Sequence, residues 1–308
     1  MPAMKRVSVA TGLDYRQRVC RAMDYIHAHL HRELSLAEIA QAASFSAFHF
    51  HRIFSAVTGE TVFGFMRRLR LERAANQLLG HPQSDITSIA LANGFSSSQN
   101  FAKAFRAHFG CAPSAFRRRK DGHTKRKERE VFSLRLAQDA RQVKRTSPQP
   151  ERKWTMQKVE VKTMPAWHVA YVRRLGPYGK ATCEAAFQEL MRWAGPRQLL
   201  GKGPMLSIYW DNPEVTAPAN CRVDACLVVP AGTPVEPPVA LQDVLGGPYL
   251  VCAFNLPPTD FTAAWTEAFQ YLVQKGYECA DRPCYELYYD DCTGATCRFD
   301  ICIPLLQK

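Results

Sequence analysis

The feature that most limits what this 308-residue chain can become is a repeat inside its first 120 residues. Ile39-Ala40 returns as Ile89-Ala90 and Phe45-Ser46 as Phe95-Ser96, both at an offset of 50. Phe50, Phe54 and Gly59 return as Phe101, Phe105 and Gly110 at an offset of 51, so one residue is inserted within the second copy. Each copy reads as two short helices around a tight turn. Leu36, Ile39, Ala40 and Ala43 share one helical face, and Ser35 with Glu38 forms a capping box at its start. The turn Ser44-Phe45-Ser46 leads to a second helix, striped by Phe50, Ile53, Phe54 and Val57 and stopped at Thr58-Gly59. Two helices joined this way make a helix-turn-helix, and a unit present twice is a stronger signal than either copy alone. Between the copies, Val62, Phe65, Met66 and Leu69 predict a long helix whose outer side carries Arg67, Arg68, Arg70 and Arg73.

Charge separates the chain into parts. Of the formal +12, residues 1–120 hold a net +10, residues 121–153 a net +5 and residues 154–308 a net −3. The front attracts a polyanion and the back does not. No apolar run approaches the ~18 residues of a membrane helix. Met1–Arg6 lacks the apolar stretch of a secretory signal, so the expected compartment is the cytoplasm; a secreted enzyme or a membrane transporter is not expected. The middle stretch, with Arg117-Arg118-Arg119-Lys120, Lys125-Arg126-Lys127 and Thr146-Ser147-Pro148-Gln149-Pro150, reads as a solvated tether.

A basic, duplicated helix-turn-helix points to double-stranded DNA. If the aromatic stripes face inward, Phe48, His51, Arg52 and Ser55 face outward on one second helix. Gln99, Asn100, Lys103 and Arg106 do so on the other. Arg suits guanine, Gln or Asn suits adenine, and Phe48 suits thymine methyls. Arg67, Arg68, Arg106, Arg117 and Arg118, with Arg119, are candidates for phosphate contacts, which fix register but read no sequence. Residues 13–120 resemble the AraC/XylS family of bacterial transcription regulators. The resemblance is carried by Ser46, Phe50, Arg52-Ile53-Phe54 and Gly59, then by Ile89-Ala90, Gly94-Phe95, Phe101, Phe105, Phe109-Gly110, Pro113 and Phe116-Arg117. It implies two helix-turn-helix units held by one long helix, with base contacts at Phe48, His51, Arg52, Gln99, Asn100 and Lys103.

The back half alternates short β-rich runs with Pro, Gly and Asn signals. Strands are expected at Ala166–Arg173, Met205–Trp210, Val223–Val229, Tyr249–Phe254, Tyr285–Tyr289 and Phe299–Ile303. Helices are expected around Phe187–Trp193 and Phe261–Val273. Tyr209-Trp210-Asp211 recurs as Tyr288-Tyr289-Asp290, offset 79, and Arg222-Val223-Asp224-Ala225-Cys226 recurs as Arg298-Phe299-Asp300-Ile301-Cys302, offset 76. The fold class expected is therefore α + α/β and multi-domain. An all-α double helix-turn-helix domain (13–120) and a charged linker (121–153) precede an α+β domain of two βαββ repeats (154–308), with a ligand cleft at the repeat junction.

This half is similar to the GyrI-like (SbmC-type) effector-binding domains, and the domain order resembles the Rob group of regulators. The carrying pieces are Arg174-Leu175-Gly176-Pro177-Tyr178, Ile208–Pro213, Arg222–Cys226, Gly246-Gly247-Pro248-Tyr249, Pro283–Tyr288 and Asp300–Pro304. The resemblance implies a pocket for small lipophilic cations with an acid at its floor, at the position of Glu286. Tyr209, Trp210, Tyr249, Trp265 and Tyr288 are the candidate walls, since rings beside a carboxylate add cation–π attraction. On a strand Glu286 and Tyr288 share one face, and Tyr285, Leu287 and Tyr289 the other. A structural salt bridge is the plain alternative for Glu286, and core packing is the plain alternative for each ring.

The alternative function is a small-molecule hydrolase fused to a DNA-binding module, with Glu286 as general base through water; an architectural protein without a ligand is a third. The partners expected are promoter DNA, a small-molecule effector and RNA polymerase, with no membrane, cofactor or metal. Eleven cysteines, nine of them beyond residue 180, read as reduced thiols. Cys221/Cys226, Cys279/Cys284, Cys292/Cys297 and Cys297/Cys302 share a spacing of five, which on an extended strand sends the two side chains to opposite faces.

Overall fold

The repeated pattern of the first 120 residues becomes seven helices in the computed structural model, which describes residues 9–81, 83–118, 156–290, 292 and 294–306. They are α1 (Val9–Ala28), α2 (Leu36–Ala42), α3 (Ala47–Thr58), α4 (Val62–Gly80), α5 (Ile86–Ala92), α6 (Ser98–Phe109) and α7 (Pro113–Arg118). The expected linker, 121–153, lies outside the described residues. The chain divides into two compact units, a helical one of Arg18–Glu151 and a sheet-bearing one of Arg152–Lys308 to which the residues up to Gln17 also belong. No helix among the described residues is long and apolar enough to cross a membrane.

The two copies fold alike down to their hydrogen bonds. Ser35 Oγ, Asp85 Oδ2 and Ser97 Oγ each accept a backbone N–H three residues on, capping α2, α5 and α6. Between α2 and α3 the Phe45 amide donates to Ala40, and between α5 and α6 the Phe95 amide donates to Ala90, at 2.8 and 3.1 Å. The turn needs a left-handed residue, supplied by Ser44 (φ 57°) in one copy and Gly94 (φ 74°) in the other. The aromatic ladders match too. Phe50 meets Phe54 edge-on at 5.7 Å, and Phe101 meets Phe105 at 5.3 Å, each pair at 65°. The capping box is only half made: Ser35 accepts from the Glu38 amide, but the Glu38 carboxylate turns to Arg32 and to the Tyr25 hydroxyl. Val57 is 36% exposed, so the inward stripe of α3 ends at Phe54.

Helix α4 packs against α3 and also against α5, α6 and α7. Neighbours on several sides bury Arg68 and Glu72 along with the expected Val62, Phe65, Met66 and Leu69.

Among the described residues, the second unit is one eight-stranded antiparallel sheet with two α-helices. Its elements are β1 (Lys158–Met164), β2 (Trp167–Leu175), α8 (Lys180–Ala194), β3 (Met205–Tyr209), β4 (Arg222–Val228), β5 (Ala240–Val244), β6 (Gly247–Leu256), α9 (Phe261–Gln274), β7 (Cys284–Tyr288) and β8 (Cys297–Pro304). The strand order is β1-β6-β8-β7-β3-β4-β2-β5. Strands β1 and β5, at the two edges, are additions to the six read from sequence. Charged and exposed positions in Lys158–Met164 and Ala240–Val244 dilute the apolar run that marked the inner strands. Strands β3 and β7 meet at the centre, with Ser207 directly opposite Glu286.

Cross-strand partners share a face, and this fixes two rows. Val172, Ala225, Ser207, Glu286, Ile301, Cys252 and Val159 align across seven strands. Both helices cover this face: α8 packs on Ala170, Val172, Ala225 and Leu227, and α9 packs on Leu250, Cys252, Phe299 and Ile301. Glu286 is the one carboxylate in that row. The adjacent row, on the other face, runs Arg173, Asp224, Ile208, Tyr285, Cys302 and Val251.

Candidate DNA-reading faces and ligand cage

On α3 and α6 the packing of Phe50, Phe54, Phe101 and Phe105 leaves a polar outer face. His51 and Arg52 are exposed on α3, and Gln99, Asn100, Lys103 and Arg106 on α6. Asn100 also donates to Ser96 Oγ at 2.9 Å, which holds its side chain near the start of α6. Phe48 lies on α3, but its side chain is outside the described set.

Three arginines of α4 meet different surroundings. Arg67 is exposed. Arg68 is 6% exposed and its guanidinium is held by Glu60 at 2.5 Å and Glu72 at 3.1 Å. The expectation that Arg68 touches phosphate is therefore corrected. A cation enclosed by helices must be paired, and two carboxylates do that here. Arg70 is likewise drawn from the outer side; it donates to the carbonyls of Leu30, Arg32 and Gly94 at 3.0, 2.5 and 3.1 Å. Arg117 is half-buried with its guanidinium on the Ser84 carbonyl at 2.6 Å, while Arg118 is exposed.

In the sheet unit, alternation along β7 puts Glu286 and Tyr288 beneath the helices. Glu286 has no exposed surface. Its Oε2 accepts from Tyr209 at 2.8 Å and from Tyr288, and its Oε1 accepts from the Trp265 indole N–H at 2.6 Å. Tyr288, whose hydroxyl donates to Glu286, accepts from Ser207 at 3.0 Å. Tyr209 meets Trp265 edge-on at 5.4 Å and 77°, and Phe187 of α8 meets Tyr288 at 5.8 Å and 81°. Cys183 Sγ lies 3.9 Å from the Tyr209 hydroxyl.

Burial raises the Glu286 carboxyl above its usual range, and the three donors hold part of that rise back. Burial pushes both tyrosines well above their ordinary value, with the Glu286 charge adding to it. It pushes the Cys183 thiol up to about 11, so this thiol is no nucleophile near neutrality. The arrangement is a single acid at the floor of an aromatic cage. It can attract a cation and offer it ring faces, and the surrounding rings exclude water that would screen the charge.

Residues 157–306 match the family described as the GyrI-like small molecule binding domain, and residues 39–119 match a helix-turn-helix domain. The C-terminal half is 30% identical over 145 residues to the DNA gyrase inhibitor of Citrobacter rodentium (strain ICC168), covering 46% of this chain and 88% of that protein. The chain belongs to the GyrI-like family. Its front half places it among the AraC-type DNA-binding regulators, so it joins a DNA-binding domain to a small-molecule-binding one. The HTH-type transcriptional regulator YbfP of Bacillus subtilis (strain 168) is 34% identical over 122 residues, 40% of this chain and 41% of that protein. The match thus spans about two fifths of that relative. A crystal structure of an AraC-type regulator from Chromobacterium violaceum has 28% identity over 35% of this chain and 95% of its own, with a TM-score of 0.33.

Within this GyrI-like domain, two of the five rings read as cage walls lie elsewhere. Trp210 follows Ile208 on the far face and donates to Asp224 Oδ2 at 2.7 Å. Tyr249 is also on the far face, against Tyr285 and under the Arg282 guanidinium, with its hydroxyl on the Leu245 carbonyl. Closeness in sequence to Tyr209 and Pro248 suggested both; strand parity sends them away from Glu286. Phe187, beside Tyr288, is a ring that the sequence reading did not bring to this group, and its place on the inner stripe of α8 was the available signal.

The repeated Tyr-x-Asp and Arg-x-Asp motifs explain themselves on the far face. Arg173 grips Asp224 with two bonds of 2.7 and 2.6 Å, and Trp210 and Gln242 donate to the same carboxylate. Arg222 grips Asp211 at 2.7 Å. In the later copy Tyr289 donates to Asp300 at 2.6 Å, and Arg298 stands 3.6 Å from Asp290.

One cysteine expectation is also corrected. Cys292 and Cys297 form a disulfide. The chain reverses between them, with Cys292 in the left-handed region, so the extended-strand rule does not apply. Asp290, Cys292 and Cys297 bring three potential ligand atoms within 4.8 Å of one another. With the sulfurs bonded together and Asp290 accepting from the Cys292 and Arg298 amides, the group clamps the hairpin.

Proposed function

We propose that this regulator reads promoter DNA with the outer faces of α3 and α6 and senses a lipophilic cation in the Glu286 cage. The observation that carries the ligand reading is the fully buried Glu286 carboxylate, held by Tyr209, Tyr288 and Trp265 with no cationic side chain of the described residues bonded to it. A buried carboxylate without a counter-charge is costly, and an incoming cation supplies that charge. His51, Arg52, Gln99, Asn100 and Lys103 read bases, and Arg67, Arg106, Arg117 and Arg118 touch phosphate. Residues 121–153 act as a tether between a DNA-binding domain and a sensor, and the sensor is two repeats of β-helix-β-β, each with an edge strand added. The protein works in the cytoplasm, where RNA polymerase is the partner its occupancy of a promoter affects.

The test is calorimetry on the full chain with 1-methyl-4-phenylpyridinium, a flat lipophilic monocation. Glu286→Gln keeps the size and one acceptor oxygen but removes the charge, so affinity falls at least about tenfold, or 1.4 kcal/mol. Unchanged affinity sinks the ligand reading. The families matched are binding domains, and none is catalytic. Turnover of an electrophilic drug, lost in Glu286→Gln, would move the reading to the hydrolase.

A further inference from the structure

The cage is built almost the same from either side. Tyr209 and Tyr288 stand at offset 79, and both hydroxyls converge on one oxygen of Glu286. At the same offset the partner of Glu286 is Ser207, and these two face each other across the β3–β7 pair. A local twofold axis therefore passes between them. Phe187 on α8 and Trp265 on α9 correspond as well: each sets its ring edge-on to one of the two tyrosines, at 81° and 77°. What breaks the symmetry is chemistry alone. One floor position carries a carboxylate and the other a hydroxyl; one side offers an indole N–H and the other a plain phenyl ring.

We infer that Ser207 is the specificity-determining position of the cage: as the counterpart of Glu286, its hydroxyl in place of a second carboxylate limits the site to a ligand with one positive charge. This rests on the ligand reading above. A second charge held in the cage would have no partner, because the other floor position is a fully buried serine bonded to Tyr288. An unpaired buried charge is disfavoured. Two opposed carboxylates would suit a dication, and without one they would share a proton, since like charges at cross-strand distance cannot both ionise readily.

The experiment uses the full chain and a pair of biaryl cations that differ in charge and by one methyl group. These are 1-methyl-4-phenylpyridinium, with one charge, and methyl viologen, with two. The parent chain is expected to bind the monocation at least about tenfold more tightly. Ser207→Glu is expected to reverse that order, and the exchange Ser207→Glu with Glu286→Ser to keep it. Glu286→Ser alone is expected to lose at least about tenfold for the monocation. Adding Phe187→Trp and Trp265→Phe to the exchange is expected to tighten it further, by returning the indole donor to the side of the acid. An exchange variant with cooperative thermal unfolding that binds no better than Glu286→Ser overturns the inference. So does a parent chain that binds the two cations equally, a result that needs no variant to fold. If Glu286→Ser binds the monocation as the parent does, the cage reading itself fails, and the inference with it.

Discussion

The helical unit and the sheet unit both contain an internal repeat, but they use it in opposite directions. In the helical unit the matched aromatic ladders, Phe50–Phe54 and Phe101–Phe105, are hidden. The residues that differ between copies, Arg52 and Lys103 among them, are exposed. In the sheet unit the differing residues are hidden: Ser207 and Glu286 sit at the buried centre, while the repeated Arg and Asp residues brace the far face. A repeat that reads an extended surface diversifies outside. One that encloses a small molecule diversifies at its axis.

The largest effect tests how deeply the far face is braced. Asp224 is fully buried with Arg173, Trp210 and Gln242 on it, so Asp224→Ala strands a buried guanidinium and costs about 3–5 kcal/mol in chemical denaturation. Its counterpart bond in the later copy is made by Tyr289, which is 54% exposed, and Tyr289→Phe costs roughly 1 kcal/mol. Equal losses would break the contrast between the two copies.

Next in size, Arg52→Ala and Lys103→Ala each lose about 1–3 kcal/mol of affinity for the cognate site at fixed salt, and relax the base preference at the position contacted. A uniform loss on all sequences would demote them to phosphate contacts.

A third effect is in pH. Burial raises the Glu286 carboxyl, and only its ionised form attracts a cation. Cation affinity therefore falls as the carboxyl takes up its proton on acidification, and the fall sets in above the ordinary carboxylate value of about 4.3. The same sign makes the unliganded sensor gain stability from this group as pH falls, because the folded state binds the proton more tightly. Glu286→Gln abolishes both trends. The smallest effect on DNA binding is at α4: Arg67→Ala lowers the salt slope by about 1, whereas Arg68→Ala leaves the slope and lowers the melting temperature.

Much of this was legible in the sequence, for reasons that differ by unit. A 3.6-residue period separates inner from outer residues, so His51, Arg52, Gln99 and Lys103 were placed on outer faces by counting. The failures there, Arg68 and Arg70, come from tertiary neighbours that periodicity cannot see; α4 is packed on several sides. In the sheet unit, period two put Glu286 and Tyr288 together, and the repeat brought Tyr209 opposite. Trp210 failed because it alternates to the face opposite its neighbour Tyr209, and Tyr249 because the face a β6 residue shares with β7 depends on register. Trp265 does stand against Glu286, although it lies on a different element. Phe187 was missed, since a helix stripe names a core residue without saying which sheet residue it meets. The Cys292–Cys297 bond was illegible because the hairpin turn between them carried no strand period to count.

The most direct measurement is footprinting of the full chain on genomic DNA with and without 1-methyl-4-phenylpyridinium, for the parent and for Glu286→Gln. The account predicts that both proteins occupy the same sites without the cation, and that the cation changes occupancy only in the parent. An identical response in Glu286→Gln would contradict it.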